Sequence, residues 1–539
     1  MKKRLLTALP IMLLLVACGG EQTDGSDSGS ATNSGDTSEA SETSINPEGM
    51  PISDEEIEMT FFAGKGAMNA NSDWNDILLW NEYESMTNIN IEWDEYLTEA
   101  LEEQRNLSLV SGNLPDVYYL ASFPNTDIFR YGDQGVFVAL NDYIDEYAPN
   151  LTALMEENPE IRRAITFPDG NIYSLPSVID EDFVSVRIAS RPWVDEELLS
   201  ELGMDVPETT EEYYDFLSGV KELDPSKTPY GGTSINEIVQ YLAGSFGVMN
   251  RGVRNGSVDV DEDTGDLRFF PTTDEYKELL EYVHRLYSEE LIDQNIFTIE
   301  WGQFLANASE DQYASMVFYD PIDLFGEDIG AKFDSMSALE GPNGDQQYIK
   351  VAPMVNTIGN FLITENNENP EAAVRWMDHF YSDEGAKFYY MGIEGETYEE
   401  VDGDLQYVDS IRNPEDGSTF EQELSKYLTW IGATQGILKE DYFRGSESAA
   451  PSLEAAEKIE PYIPEEIWSG FTHTQEENNV LSSSGTDIEQ YVAESRDRFI
   501  SGDLSFDEWD NYVNTLETMN LEEYMSVKEA AYDRYLSAE

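Results

Sequence analysis

The chain has 539 residues, with 109 Asp plus Glu against 30 Lys plus Arg and a formal net charge of −79. That length exceeds one hydrophobic core and predicts two or more lobes, while the charge excludes binding to nucleic acid or to an anionic lipid surface. An apolar fraction of 40% with 31 Tyr, 24 Phe and 9 Trp excludes disorder throughout, and a single Cys beside three His excludes an internal disulfide and argues against zinc or iron–sulfur centres.

The acidic residues are spread along the whole chain, as in a solvated shell suited to salty or alkaline surroundings, whose stability depends on screening salt. At the N-terminus, Lys2, Lys3 and Arg4 precede an apolar run from Leu5 to Ala17, which is too short to span a bilayer. The run ends Leu15-Val16-Ala17-Cys18-Gly19-Gly20. This resembles the lipobox of bacterial lipoproteins, so residues 1–18 are expected to be a lipoprotein signal peptide with Cys18 as the lipidated residue. Residues 19–52 hold Gly, Ser, Thr, Asp, Glu and Asn with almost nothing to bury, and are expected to be a flexible polar tether.

Beyond the tether, Ile57–Phe62 alternates as a first strand, and Asp73 is placed to cap a helix carrying Trp74, Ile77, Leu78 and Trp80. Ile89, Ile91 and Trp93 mark a second strand, 98–110 a helix, and Asp116–Leu120 a third strand after the Ser111–Pro115 break. Strand, helix, strand, helix, strand predicts a parallel sheet covered by helices, with ligands bound beyond the strand C-termini, here at Gly64-Lys65-Gly66 and Tyr119–Phe123. Leu140–Tyr147 is amphipathic, Asp169-Gly170 turns a hairpin, and Phe183–Ile188 reads as extended. Thr209 or Thr210 starts a helix with Glu212 in capping reach, residues 256–270 form a hairpin around Thr264-Gly265, and Thr273–Leu291 is a long amphipathic helix. Met316–Tyr319 and Ile349–Pro353 read as strands, and Pro370 starts a helix. The C-terminal third is read as helices over 421–438, 452–460, 474–482, 485–500, 506–518 and 521–537.

Asp259, Asp261 and Asp263 echo a calcium loop, but the sixth and twelfth positions are Thr264 and Phe270, so the segment is read as an acidic hairpin and no metal is expected. His284, His379 and His473 have no ligand spacing, and no nucleophilic triad, nucleophile elbow or phosphate loop appears. Aromatic residues near loops are candidates for stacking on sugar rings. The candidate ligand-binding set is Trp74, Tyr119, Trp193, Trp301, Tyr319 and Trp430, with Arg187 as a charged hydrogen-bond donor.

Ser111-Gly112-Asn113-Leu114-Pro115-Asp116, Asp169–Pro176, Glu290-Leu291-Ile292-Asp293, Asn369–Ala373 through Gly392–Tyr398, and Ala531–Tyr535 together resemble the extracellular solute-binding proteins of ABC importers, family 1, in a large lipoprotein branch. The resemblance extends to binders of alginate oligosaccharides, although Lys221–Tyr230 lacks the acidic calcium string found in many members. It implies a two-lobe α/β fold of the periplasmic-binding-protein type II with a helical C-terminal extension. The first lobe would take 53–184 and 354–397, and the second 185–353 and 398–539. It further implies a monomer that binds an oligosaccharide between the lobes and passes it to permease subunits, without catalysis, cofactor or nucleic acid, held to the outer face of the cell membrane by its lipid alone. A peptide or other polar solute is the alternative ligand, and a secreted polysaccharide-degrading enzyme the remote one.

Overall fold

Residues 45–69, 72–431 and 434–538 are described by a computed structural model; Cys18, the signal segment and the tether up to residue 44 lie outside them. Strand β1 (Ile57–Lys65) pairs in parallel with β2 (Ile89–Leu97) on one side and β3 (Val117–Tyr119) on the other, and Phe361–Ile363 adds antiparallel to β3. The helices Leu78–Thr87 and Thr98–Ser111 make the crossovers. Both faces of the sheet are buried, so period-2 alternation sends Phe61 and Tyr119 into one core and Phe62 and Tyr118 into another. The first core is dense in rings, with Trp93 5.2 Å from Phe61, 5.3 Å from Trp74 and 5.0 Å from Trp80.

A second sheet runs in the order Phe333–Ser335, Arg191–Asp195, Tyr313–Phe318, Thr228–Gly231, with the last two strands parallel. Its core joins Val194, Phe216, Leu242 and Val283 to Phe499 and Tyr512 of the C-terminal helices. The helix Thr210–Leu223 begins in a capping box, Thr209 with Glu212, and Thr273 caps the helix Asp274–Ser288.

The chain changes core between Phe183 and Ile188 and again between Val351 and Met354. The third change differs from expectation. Residues 398–443 belong to the first lobe, because Tyr398, Leu428, Trp430 and Phe443 pack in its core; the return falls between Phe443 and Ala456. A small sheet of Ser177–Ile179, Val355–Thr357 and Ile437–Leu438 places one strand beside each crossing.

Local expectations fail where a run of apolar residues was ambiguous. Phe183–Ile188 is not extended but holds the helical turn Val184–Arg187. Residues 421–438 are not one helix: Phe420–Leu424 is helical, and Gly436, at φ +66°, lies where a Cβ would stand 2.3 Å from the Phe380 carbonyl. The helix expected from Asp73 starts at Leu78, and 349–353 forms no strand. The end of the expected tether is folded: Ile45 bridges Ser53, Ile52 is fully buried, and the Gly49 carbonyl accepts from Arg375. The C-terminal helices also reach the first lobe, where Thr472 Oγ1 donates to the Thr166 carbonyl at 2.9 Å.

Candidate ligand-binding site

Parallel pairing brings the ends of β1 and β3 to one edge, and a cavity of about 420 Å³ opens there, within the range of small-molecule sites. Gly64, Lys65 and Gly66 form one side, Leu120 and Ser122 the next. Leu120 and Ser122 have φ of 51° and 52°, a conformation that costs non-glycine residues about 1–3 kcal/mol and is kept only where neighbours impose it. The neighbours are identifiable. Asn360 accepts from the Leu120 and Ser122 amides at 2.7 and 2.9 Å, through its carbonyl and side-chain oxygens respectively. The buried Arg105 donates to the Ala121 and Ser122 carbonyls at 2.8 and 2.6 Å and lies 4.7 Å above the Phe123 ring. Gly64 permits the approach, since a Cβ there would sit 2.2 Å from the Leu120 carbonyl. Lys65 is neutralised by Glu95.

The opposite wall comes from the segment before the third crossing. Trp430 is 6% exposed, donates from Nε1 to Tyr407 Oη at 3.0 Å, and meets Phe443 at a ring separation of 4.9 Å. Thr434 Oγ1 bonds Ser177 Oγ at 3.2 Å and accepts from Asn356 Nδ2 at 3.4 Å, tying this wall to the crossing sheet. A second cavity of about 290 Å³ shares Asn356 and Thr357 with the first. It is lined by Asn125 and Ala164 from the first lobe and by Arg254, Ser469 and Gly470 from segments packed on the second. The two form one groove along the junction of the lobes. Arg254, in the lining of the second cavity, donates to the carbonyl of the shared Asn356 at 3.4 Å. Crowding by the groove walls lowers its pKa from the ordinary arginine value. The lining offers amides, hydroxyls, an indole and a guanidinium, a set that binds a polar solute; among the described residues it holds no pair of carboxylates of the kind that cleaves a glycosidic bond.

Of the residues expected to bind ligand, Trp430 borders this groove. Trp74 and Tyr119 do not: both are fully buried, with Trp74 5.3 Å and Tyr119 5.4 Å from Trp93, and Trp74 instead lines a separate cavity of about 240 Å³ with Trp80, Trp93 and Trp376. Trp193 is also a core residue, 2% exposed, with Nε1 shared between the carbonyls of Phe318 and Tyr319 at 3.1 and 3.0 Å. Trp301 and Tyr319 are half-exposed and flank Phe318 at 5.6 and 5.4 Å, an aromatic patch at the end of the strand Tyr313–Phe318 that does not border the two cavities. Arg187 lies on the first crossing, its guanidinium engaged by the carbonyls of Ala352 and Glu181. Sequence reasoning missed Asn356, Asn360, Thr434, Phe443 and Arg254.

Comparison with known proteins places the chain in context. Residues 69–387 match the family described as bacterial extracellular solute-binding protein. The fructooligosaccharide ABC transporter substrate-binding protein FusA of Streptococcus pneumoniae is 27% identical over 487 residues, 86% of this chain and 88% of FusA. The structure of a FusA EF-hand mutant in complex with fructo-nystose superposes with a TM-score of 0.67 at 24% identity, covering 89% of this chain and all of that one. An HMO-binding solute-binding protein associated with an ABC transporter, from Bifidobacterium longum infantis, gives a TM-score of 0.73 at 19% identity over 89% of this chain and 99% of its own.

Proposed function

Because the chain belongs to the bacterial extracellular solute-binding proteins, we propose that it is the binding subunit of an ABC importer for an oligosaccharide, anchored to the outer face of the membrane through Cys18. The observation that carries this reading is the groove at the junction of the lobes, where Trp430 adjoins neutral amides and hydroxyls. Sugar rings present an apolar face to an aromatic surface and hydroxyls to amide and hydroxyl partners. The names of relatives support a saccharide over a peptide, since FusA is named for fructooligosaccharides. Delivery follows from the hinge: a ligand that binds the closed arrangement better shifts the lobes towards it, and permease subunits recognise that state. Among the described residues no helix is long and apolar enough to cross a membrane, so the attachment proposed is the lipid.

The test is a thermal-shift screen of the soluble body against oligosaccharides and peptides. Saturation at 100 times Kd should add about 2.7 kcal/mol of stability and raise Tm. A rise with peptides and none with any saccharide would refute the reading. Cys18→Ser in the full chain should release the protein to the medium, and unchanged membrane retention would refute the anchor.

A further inference from the structure

The groove has a charge character opposite to that of the protein around it. Asp and Glu make up 109 of 539 residues, about one in five, and a lining drawn at that composition would hold several. Among the described residues, none that lines either cavity of the groove is acidic. Other depressions on the same molecule follow the average: the one along β2 carries Glu92 and Asp94, and the one beside Pro47 carries Glu48, Asp145, Glu146 and Glu156. The groove therefore excludes carboxylates selectively.

It also holds cations. Lys65 is matched by Glu95. Among the described residues no carboxylate pairs with Arg254: it is accessible to solvent, and its hydrogen bond runs to a neutral carbonyl. In a chain with more than three acids for every base, a cation left unneutralised in the wall of an acid-free groove is a site for an anion. Five donors in a planar fork match a carboxylate bidentately. A neutral sugar needs strong acceptors for its hydroxyls, which acidic side chains ordinarily supply. An acidic sugar brings its own acceptor and needs donors instead, and Asn125 and Asn356 line the same cavity as Arg254. The wider negative field is no obstacle at contact, because physiological salt screens it beyond about 8 Å.

We infer that the groove selects an oligosaccharide bearing a carboxylate, a uronate, and that Arg254 reads that group. This rests on the saccharide reading above and narrows it. The probes are uronate oligosaccharide pools from pectin, alginate and glucuronoxylan hydrolysates, the same pools after carboxyl reduction to the neutral sugars, and neutral fructo- and manno-oligosaccharides, each tested by thermal shift and then by calorimetric titration. A uronate pool should raise Tm and its reduced counterpart should not. Arg254→Gln should weaken uronate binding at least tenfold with the ligand-free Tm unchanged, and Arg254→Lys should recover part of the loss. Binding of neutral pools in preference to uronates, or equal uronate affinity in wild type and Arg254→Gln, would overturn the inference while leaving a saccharide binder intact. Silence from every saccharide would overturn the saccharide reading and this inference with it.

Discussion

Arg187 and Ala352 are bonded to each other twice across two crossings of the chain: the Ala352 amide donates to the Arg187 carbonyl at 2.7 Å, and Arg187 Nε donates to the Ala352 carbonyl at 3.0 Å. The third crossing joins them through Ser185, which donates to the carbonyls of Glu447 and Ser452 and accepts from Arg191. The hinge is thus one hydrogen-bonded body. Arg187→Met keeps the stem and removes the charged donors, and should cost about 2 kcal/mol. Urea unfolding of the ligand-free protein measures it; an unshifted midpoint would mean that the guanidinium holds nothing.

Trp430 and Trp193 both pack in a core, so truncation of either should cost stability, but only that of Trp430 should also cost binding. Trp430→Ala removes a groove wall and should weaken ligand binding by about 1–3 kcal/mol, roughly 5- to 150-fold. Trp193→Ala opens a core cavity and should cost about 3–5 kcal/mol of stability. Calorimetric titration and unfolding on both variants separate the two roles, and a Trp193 variant with full stability and lost binding would return that residue to the site.

The acidic hairpin at 258–269 is braced from within the protein. Asp259 is fully buried and receives Arg268 Nε and Nη2 at 2.7 and 2.8 Å and the Met249 amide at 2.8 Å. EDTA at constant ionic strength should leave Tm unchanged, whereas Arg268→Ala should lower stability by about 3–5 kcal/mol by stranding a buried carboxylate. A chelator-induced drop reversed by calcium would contradict this.

His379 sets part of the acid limb. Its ring stacks on Tyr83 at 5.4 Å, its buried Nδ1 has no partner among the described residues, and burial first and then Arg375 push its pKa down to about 4. The unfolded chain titrates near 6.5, so between pH 6.5 and 4 it binds the proton that the fold refuses. Stability from this group is complete above about pH 6.5 and is lost as pH falls towards 4, on the order of 2–3 kcal/mol. His379→Phe should flatten the difference in unfolding midpoint between pH 7 and 5; an identical slope in wild type and variant would dismiss the histidine.

How much of this was legible in the sequence depends on how locally each feature is specified. The parallel order of β1, β2 and β3 followed from alternating strands and helices, and with it the placing of Gly64–Gly66 and Leu120–Ser122 at the edge where the cavity lies. The same reasoning misplaced the Tyr119 ring. A strand end fixes where the backbone stops, but period-2 alternation decides where the side chain goes, and Tyr119 shares the face of Phe61. Trp74, near the start of an expected helix, and Trp193, after Arg191-Pro192, stand near loops in the sequence, yet large rings fill irregular gaps in a core as readily as they line a cleft. Asn356, Asn360 and Arg254 carry no signal of their own: they meet only because residues more than a hundred positions apart are brought together at the crossings. The third lobe boundary was missed for the same reason, since nothing in 398–443 announces which of two apolar cores it will join.

The strands Val355–Thr357, Ser177–Ile179 and Ile437–Leu438, each close in sequence to one crossing, lie side by side in one sheet. Strands in a sheet are spaced by about 4.8 Å, so the lobes are joined along a row rather than at a point. A piano hinge of this kind bends about the line of its leaves and resists twisting across it. The separation of the lobes then reduces to one angle, and one pair of fluorescent labels, with a dye on each lobe, suffices to follow it.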